Sequence, residues 1–112
     1  MNRQINEKDW RIFREVREGA LERFCQLALE AIVKCSKAKG SFHQRYLDAY
    51  EMMHEQNKEL AAMFDEVARS KALLQLAMLK SRGLIEPEEF ARFGLETRNF
   101  VYEICGLAKE RA

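Results

Sequence analysis

The chain has 112 residues, 47% of them hydrophobic and 33% charged, a composition that excludes intrinsic disorder and suits one domain with a modest core. Nineteen Lys and Arg against 18 Asp and Glu leave a net charge of +1, so no global field draws in nucleic acid or an anionic membrane. The longest nearly uninterrupted apolar run, Ala72 to Leu79, is far short of the roughly 20 residues of a membrane span, and Met1 to Glu7 has no apolar signal core.

Ala, Leu, Glu, Lys, Arg, Gln and Met dominate and β-branched residues are few, which predicts an all-α fold. Asn6 is a good N-cap, Asp9 sits in the first turn, and Ile5 and Trp10 occupy the positions of a hydrophobic staple. The helix they open runs over 7–38 on the stripe Phe13, Val16, Ala20, Phe24, Leu27, Ala31 and Cys35, interrupted by Gly19, the place for a kink or a close helix contact. Lys34, Lys37 and Lys39 suit its C-terminus, and Gly40 the position beyond it.

Ser41 to Gln44 matches an S-x-x-Q capping box and opens a helix over 42–66 with the stripe Phe42, Tyr46, Ala49, Met53, Leu60, Met63 or Phe64, and Val67. Ser70 is a candidate cap for a third helix over 70–82 ended by Gly83. Pro87 starts a short fourth over 87–93, and a last helix over 95–109 carries Phe100, Val101, Ile104, Leu107 and Ala108 on one side. The expected architecture is a single domain, a bundle of about five helices in which a long antiparallel N-terminal hairpin carries the shorter C-terminal helices.

Length constrains shape. A continuous first helix of 32 residues spans about 48 Å, whereas a compact chain of this size is about 34 Å across. The helix must therefore overhang, kink at Gly19 or meet a partner. Leu21, Cys25, Ala28, Leu29 and Ile32 make a second apolar face beside its core stripe, and the third helix is apolar almost all round. Both features favour a homodimer built on the hairpin, with His43, Leu47, Tyr50, His54, Leu73 and Leu76 as the expected interface or ligand patch.

Catalytic signals are sparse. Glu51-Met52-Met53-His54 is an E-x-x-H unit of the kind used in di-iron bundles, and the hairpin would set Glu30 across from Glu51. Both carboxylates, however, fall on polar stripes that point outward. His43 and His54 are about 16 Å apart along one helix and cannot share an ion. Cys25, Cys35 and Cys105 lack C-x-x-C spacing. Cys25 and Cys35 stand about 15 Å apart on one helix, beyond disulfide reach, which fits reduced thiols in a cytoplasm. No phosphate-binding glycine loop or nucleophile elbow occurs, and no cofactor is indicated.

The first forty residues hold nine basic against six acidic side chains, a local balance of +3. The spacings Glu7/Arg11, Arg11/Glu15 and Arg14/Glu18 describe a salt-laced exposed face rather than a phosphate-binding one. Leu79 to Phe90, with Gly83, two aliphatics and Glu88-Glu89-Phe90, resembles the short C-terminal helix-turn-helix modules of many bacterial proteins, which implies an interaction module and no active site. Glu86, Glu88 and Glu89 at the start of its second helix would confront phosphates, so DNA binding is disfavoured. The function expected is protein–protein association by a small cytoplasmic bacterial protein, as homodimer, adaptor or regulatory partner. The alternative is a metal- or small-ligand-binding helical bundle with a redox role, centred on His54, Glu51 and the Tyr50 stripe, with Glu30, Glu51 and His54 as the candidate metal ligands.

Overall fold

Asn6 adopts an extended backbone and its side-chain oxygen accepts the amide of Asp9 at 2.8 Å, so α1 (Glu7–Ser36) starts where its cap predicts. The structure, a computed structural model, describes residues 4–106. Arg3, and Leu107, Ala108 and Lys109 of the expected last helix, lie outside the described residues. After α1 come α2 (Phe42–Phe64), a 3-10 turn (Arg69–Lys71), α3 (Ala72–Ser81), α4 (Pro87–Phe90) and α5 (Leu95–Cys105). Among the described residues there is no strand, and the fold is an all-α bundle with a long N-terminal helix pair against which the shorter helices pack.

The hairpin turns at Gly40, whose φ of 131° suits glycine. Ser41 caps α2 by accepting the Gln44 amide at 3.0 Å, but the Gln44 side chain turns to Asp48 at 2.8 Å, so only one half of the predicted capping box forms. Arg45 closes the turn by donating from Nε to the Ser36 carbonyl at 2.7 Å, supplying a cation and a donor to the C-terminus of α1.

Helix boundaries shift where tertiary donors claim backbone carbonyls. Arg17 Nη2 reaches the Phe64 carbonyl at 2.6 Å and Gln75 Nε2 the Asp65 carbonyl at 3.0 Å, and α2 stops at Phe64. Ser70 lies within the 3-10 turn and does not cap α3. Gly83 has a φ of 72°; its amide bonds the Lys80 carbonyl at 3.1 Å while the Leu84 amide bonds the Leu79 carbonyl at 2.9 Å, the paired bonds of a Schellman ending. α4 finishes at Phe90 because Arg92 and Phe93 make tighter bonds to Glu89 and Phe90 three residues back.

One end of the hairpin forms a packed head. Phe13, Val16 and Ala20 of α1 meet Met63 and Phe64 of α2, Leu79 of α3, Leu84, Phe90, Phe93 and Val101. Leu73 and Leu76, expected on an interface or ligand patch, belong to this core and are 5% and 0% exposed. α3 packs on α1, α2 and α5, so most of its apolar surface is covered within one chain, and Leu74, 58% exposed, is left in water.

α1 runs unbroken through Gly19. A Cβ there would lie 3.2 Å from Arg23 Nη2 and 3.5 Å from Glu89 Oε2, so the glycine serves a close approach and not a kink. The helix overhangs: the molecule measures 55 × 27 × 24 Å, and its radius of gyration of 16.8 Å exceeds the about 13 Å of a compact chain of this length. No residue from Leu21 to Ala62 is fully buried. That stretch is an arm two helices thick.

Candidate functional site

Each helix of a lone antiparallel pair hides one stripe, so the orientation of α2 about its own axis decides what the arm shows. The half-buried positions are Arg45, Ala49, Met52, Gln56, Glu59 and Leu60, with Gln56 Nε2 donating to the Ala28 carbonyl of α1 at 3.1 Å. The large apolar side chains lie beside this seam. Phe42 is 84% exposed, Tyr46 69%, Tyr50 67% and Met53 53%. Of the predicted stripe of α2, Met63 and Phe64 are buried in the head and Ala49 and Leu60 pack partway inward; Phe42, Tyr46 and Met53 face solvent, because in the arm α1 meets the neighbouring stripe through Arg45, Met52 and Gln56.

α1 matches this arrangement. Phe24, Cys25, Ala28, Leu29 and Ile32 join Met53, Gln56, Asn57 and Leu60 around an open groove of about 290 Å³. Leu29, 63% exposed, is part of this lining, and Tyr46 and Phe42, seven and eleven residues before Met53, share its stripe of α2 toward the tip. The second apolar face predicted on α1 thus lies on the same side of the arm as the exposed rings of α2. Leu27, predicted as core, is exposed on the opposite edge in a separate groove with Glu59, Arg82 and Leu84.

His43, Leu47, Tyr50 and His54 follow the outer border of this surface, all exposed, and the Tyr50 and His54 rings stack with centroids 6.4 Å apart and planes 9° from parallel. Glu30, Glu51 and His54 are exposed on the arm, and Glu30 is engaged by Gln26 at 3.3 Å. Among the described residues, no group of three His, Cys, Asp or Glu side chains could hold a metal ion. Cys25, Cys35 and Cys105 are free thiols, each half-buried.

The charges of the head work mostly as clamps. Glu7 and Arg11 form the predicted surface pair at 3.6 Å, Glu15 is engaged by Arg92, and Arg14 lies over the Trp10 ring at 5.2 Å. Arg23, numbered among the surface cations by composition, turns inward and binds Glu89 through two contacts of 2.7 and 3.1 Å, the Leu84 carbonyl at 2.7 Å, and Glu86 at 3.4 Å. The hydrogen bond to Glu89 holds the guanidinium firmly protonated, its pKa above the ordinary range. Burial pushes the Glu89 carboxyl up, but the bond from Arg23, the Glu86 amide at 2.8 Å and the nearby guanidinium charges outweigh it and leave the pKa below the ordinary value. Two of the three carboxylates at the start of α4 are thereby engaged with Arg23. The signal for this pair was in the sequence, since Gly19 one turn before Arg23 leaves room for a folded-back guanidinium, but its partner lies 66 residues away.

No helix among the described residues is long and apolar enough to cross a membrane. No family model, curated protein or solved structure matches the chain.

Proposed function

We propose that the protein acts by protein–protein association, with the two-helix arm as its working surface and a second copy, an adaptor target or a regulatory partner as the bound species. The observation that carries this reading is the rotation of α2, which sets Phe42, Tyr46, Tyr50 and Met53 in solvent instead of against α1. Water-exposed aromatic and aliphatic groups on one face forgo about 25 cal/mol for every Å² of apolar surface left uncovered. The head supports the same reading, because its own core is closed and its clamps anchor the arm's base, while among the described residues none from Leu21 to Ala62 is fully buried. Free thiols suit a reducing cytoplasm.

Photo-crosslinking tests this. A photoreactive residue at Tyr46 gives discrete protein adducts in cells making the protein, whereas one at Arg11, an exposed head position, gives none above background. Equal labelling from both positions would remove the arm from the mechanism.

A further inference from the structure

The exposed face has three properties that select among occupants. Its area is the first. At about 200 Å² for each large side chain, the exposed fractions of Leu29, Phe42, Tyr46, Tyr50 and Met53 amount to on the order of 600 Å². Groove residues between them bring the face close to the about 800 Å² that each partner contributes to a standard interface.

Charge is the second. No charged side chain lines the groove, whose polar members are Gln56 and Asn57. An uncharged groove meets a copy of itself without repulsion and offers nothing to steer a strongly acidic or basic partner, and at the tip the Arg45 guanidinium lies over the Phe42 ring at 4.8 Å.

Relief is the third. The groove floor near the base of the arm is formed by small residues, Cys25 and Ala28, while the tip carries protruding rings, Phe42 and Tyr46, on the same face. Ser36 meets Arg45 at the closed end of the hairpin, so Tyr46 stands level with Ser36, eleven residues or about 16 Å beyond Cys25. A two-fold axis passing near Leu29 and Met53 sets the raised tip of each arm over the hollow base of the other, and two hairpins so paired make the four helices of a closed bundle.

We infer that the occupant of this face is a second copy of the chain, its arm antiparallel to the first, with the two heads at opposite ends of a central four-helix bundle. The inference rests on the association reading and names the partner for the same surface.

Sedimentation velocity of the full chain at tens of micromolar reads it directly. The expected mass is twice 13.2 kDa, falling to one chain in the double variant Leu29→Glu/Met53→Glu, with the helical circular dichroism retained because neither side chain belongs to the buried core. Leu27→Glu, on the opposite edge, stays dimeric. A wild-type mass of one chain would overturn the second copy while leaving the association reading to the Tyr46 crosslinks. A dimer that survives Leu29→Glu/Met53→Glu would also overturn the inference, since the copies would then meet elsewhere, and equal crosslinking from Tyr46 and Arg11 is what would overturn the association reading.

Discussion

The carboxylate of Asp9, in the first turn of α1, accepts the hydroxyl of Thr97, in the first turn of α5, at 2.6 Å across 88 residues of sequence. Asp9 is fully buried, and it also accepts the Gly94 amide, at 3.2 and 3.3 Å to its two oxygens, and Asn6 Nδ2 at 3.1 Å. Gly94 precedes α5 and has no side chain with which to cap it, so an acid from another helix supplies the negative charge and the acceptor that this N-terminus lacks. Asp9→Ala leaves the Thr97 hydroxyl and the Gly94 amide without their acceptor. It is expected to cost about 2–3 kcal/mol in urea unfolding, and Thr97→Val about 1 kcal/mol. A loss under about 0.5 kcal/mol for Asp9→Ala would show that water replaces the carboxylate without penalty.

The Arg23–Glu89 clamp carries a pH signature. Glu89 has a folded pKa below the ordinary 4.5, so the folded state binds the proton less readily than the unfolded chain does. Its contribution is complete above the unfolded value and disappears as pH falls through the folded one. Glu89→Gln is therefore less stable than wild type by about 1–2 kcal/mol at neutral pH, and the gap closes as acid titration passes through the folded pKa of Glu89. Urea midpoints taken across that range check it; a gap that persists in acid would assign the loss to packing.

Gly19 and Arg23 are energetically coupled. Alanine in a helix interior gains about 1 kcal/mol over glycine, but a methyl at Gly19 sits 3.2 Å from a guanidinium already anchored by Glu89. Gly19→Ala alone should leave stability within about 0.5 kcal/mol of wild type, while in an Arg23→Ala background it recovers the full propensity gain. Additive effects in the double-mutant cycle would contradict the close approach.

Head and arm differ in what truncation removes. Phe13→Ala opens the core and is expected to cost about 3–5 kcal/mol. Tyr46→Ala, on the exposed tip, changes the unfolding of dilute monomeric protein by less than about 0.5 kcal/mol. Chemical denaturation of both variants at low concentration gives the comparison, and a large loss for Tyr46→Ala would mean that the ring is covered within the monomer.

Helix identity was legible because it depends on neighbours in the chain. Asn6 and Ser41 accept the amides three residues ahead, Gly83 takes the left-handed turn, and Pro87 starts α4, each by local backbone chemistry acting within a few residues. Periodicity also found the two apolar faces of α1. Rotation and coverage were another matter. Leu73 and Leu76 carry the same apolar chemistry as Leu29 and Met53, and only the packing of α1, α2 and α5 around α3 makes the first pair core and leaves the second in water.

The sequence by itself determined the all-helical class, the hairpin, most helix starts and an excess of apolar surface over what one short domain covers easily. The tertiary structure decided where that excess lies. Burial is a property of which helix face meets which neighbour, and a stripe read from spacing alone has no neighbour until the chain folds. Asp9 capping a helix 88 residues away, Arg23 folded onto Glu89 above Gly19, and α2 turned so that its rings face outward are three results of that same dependence.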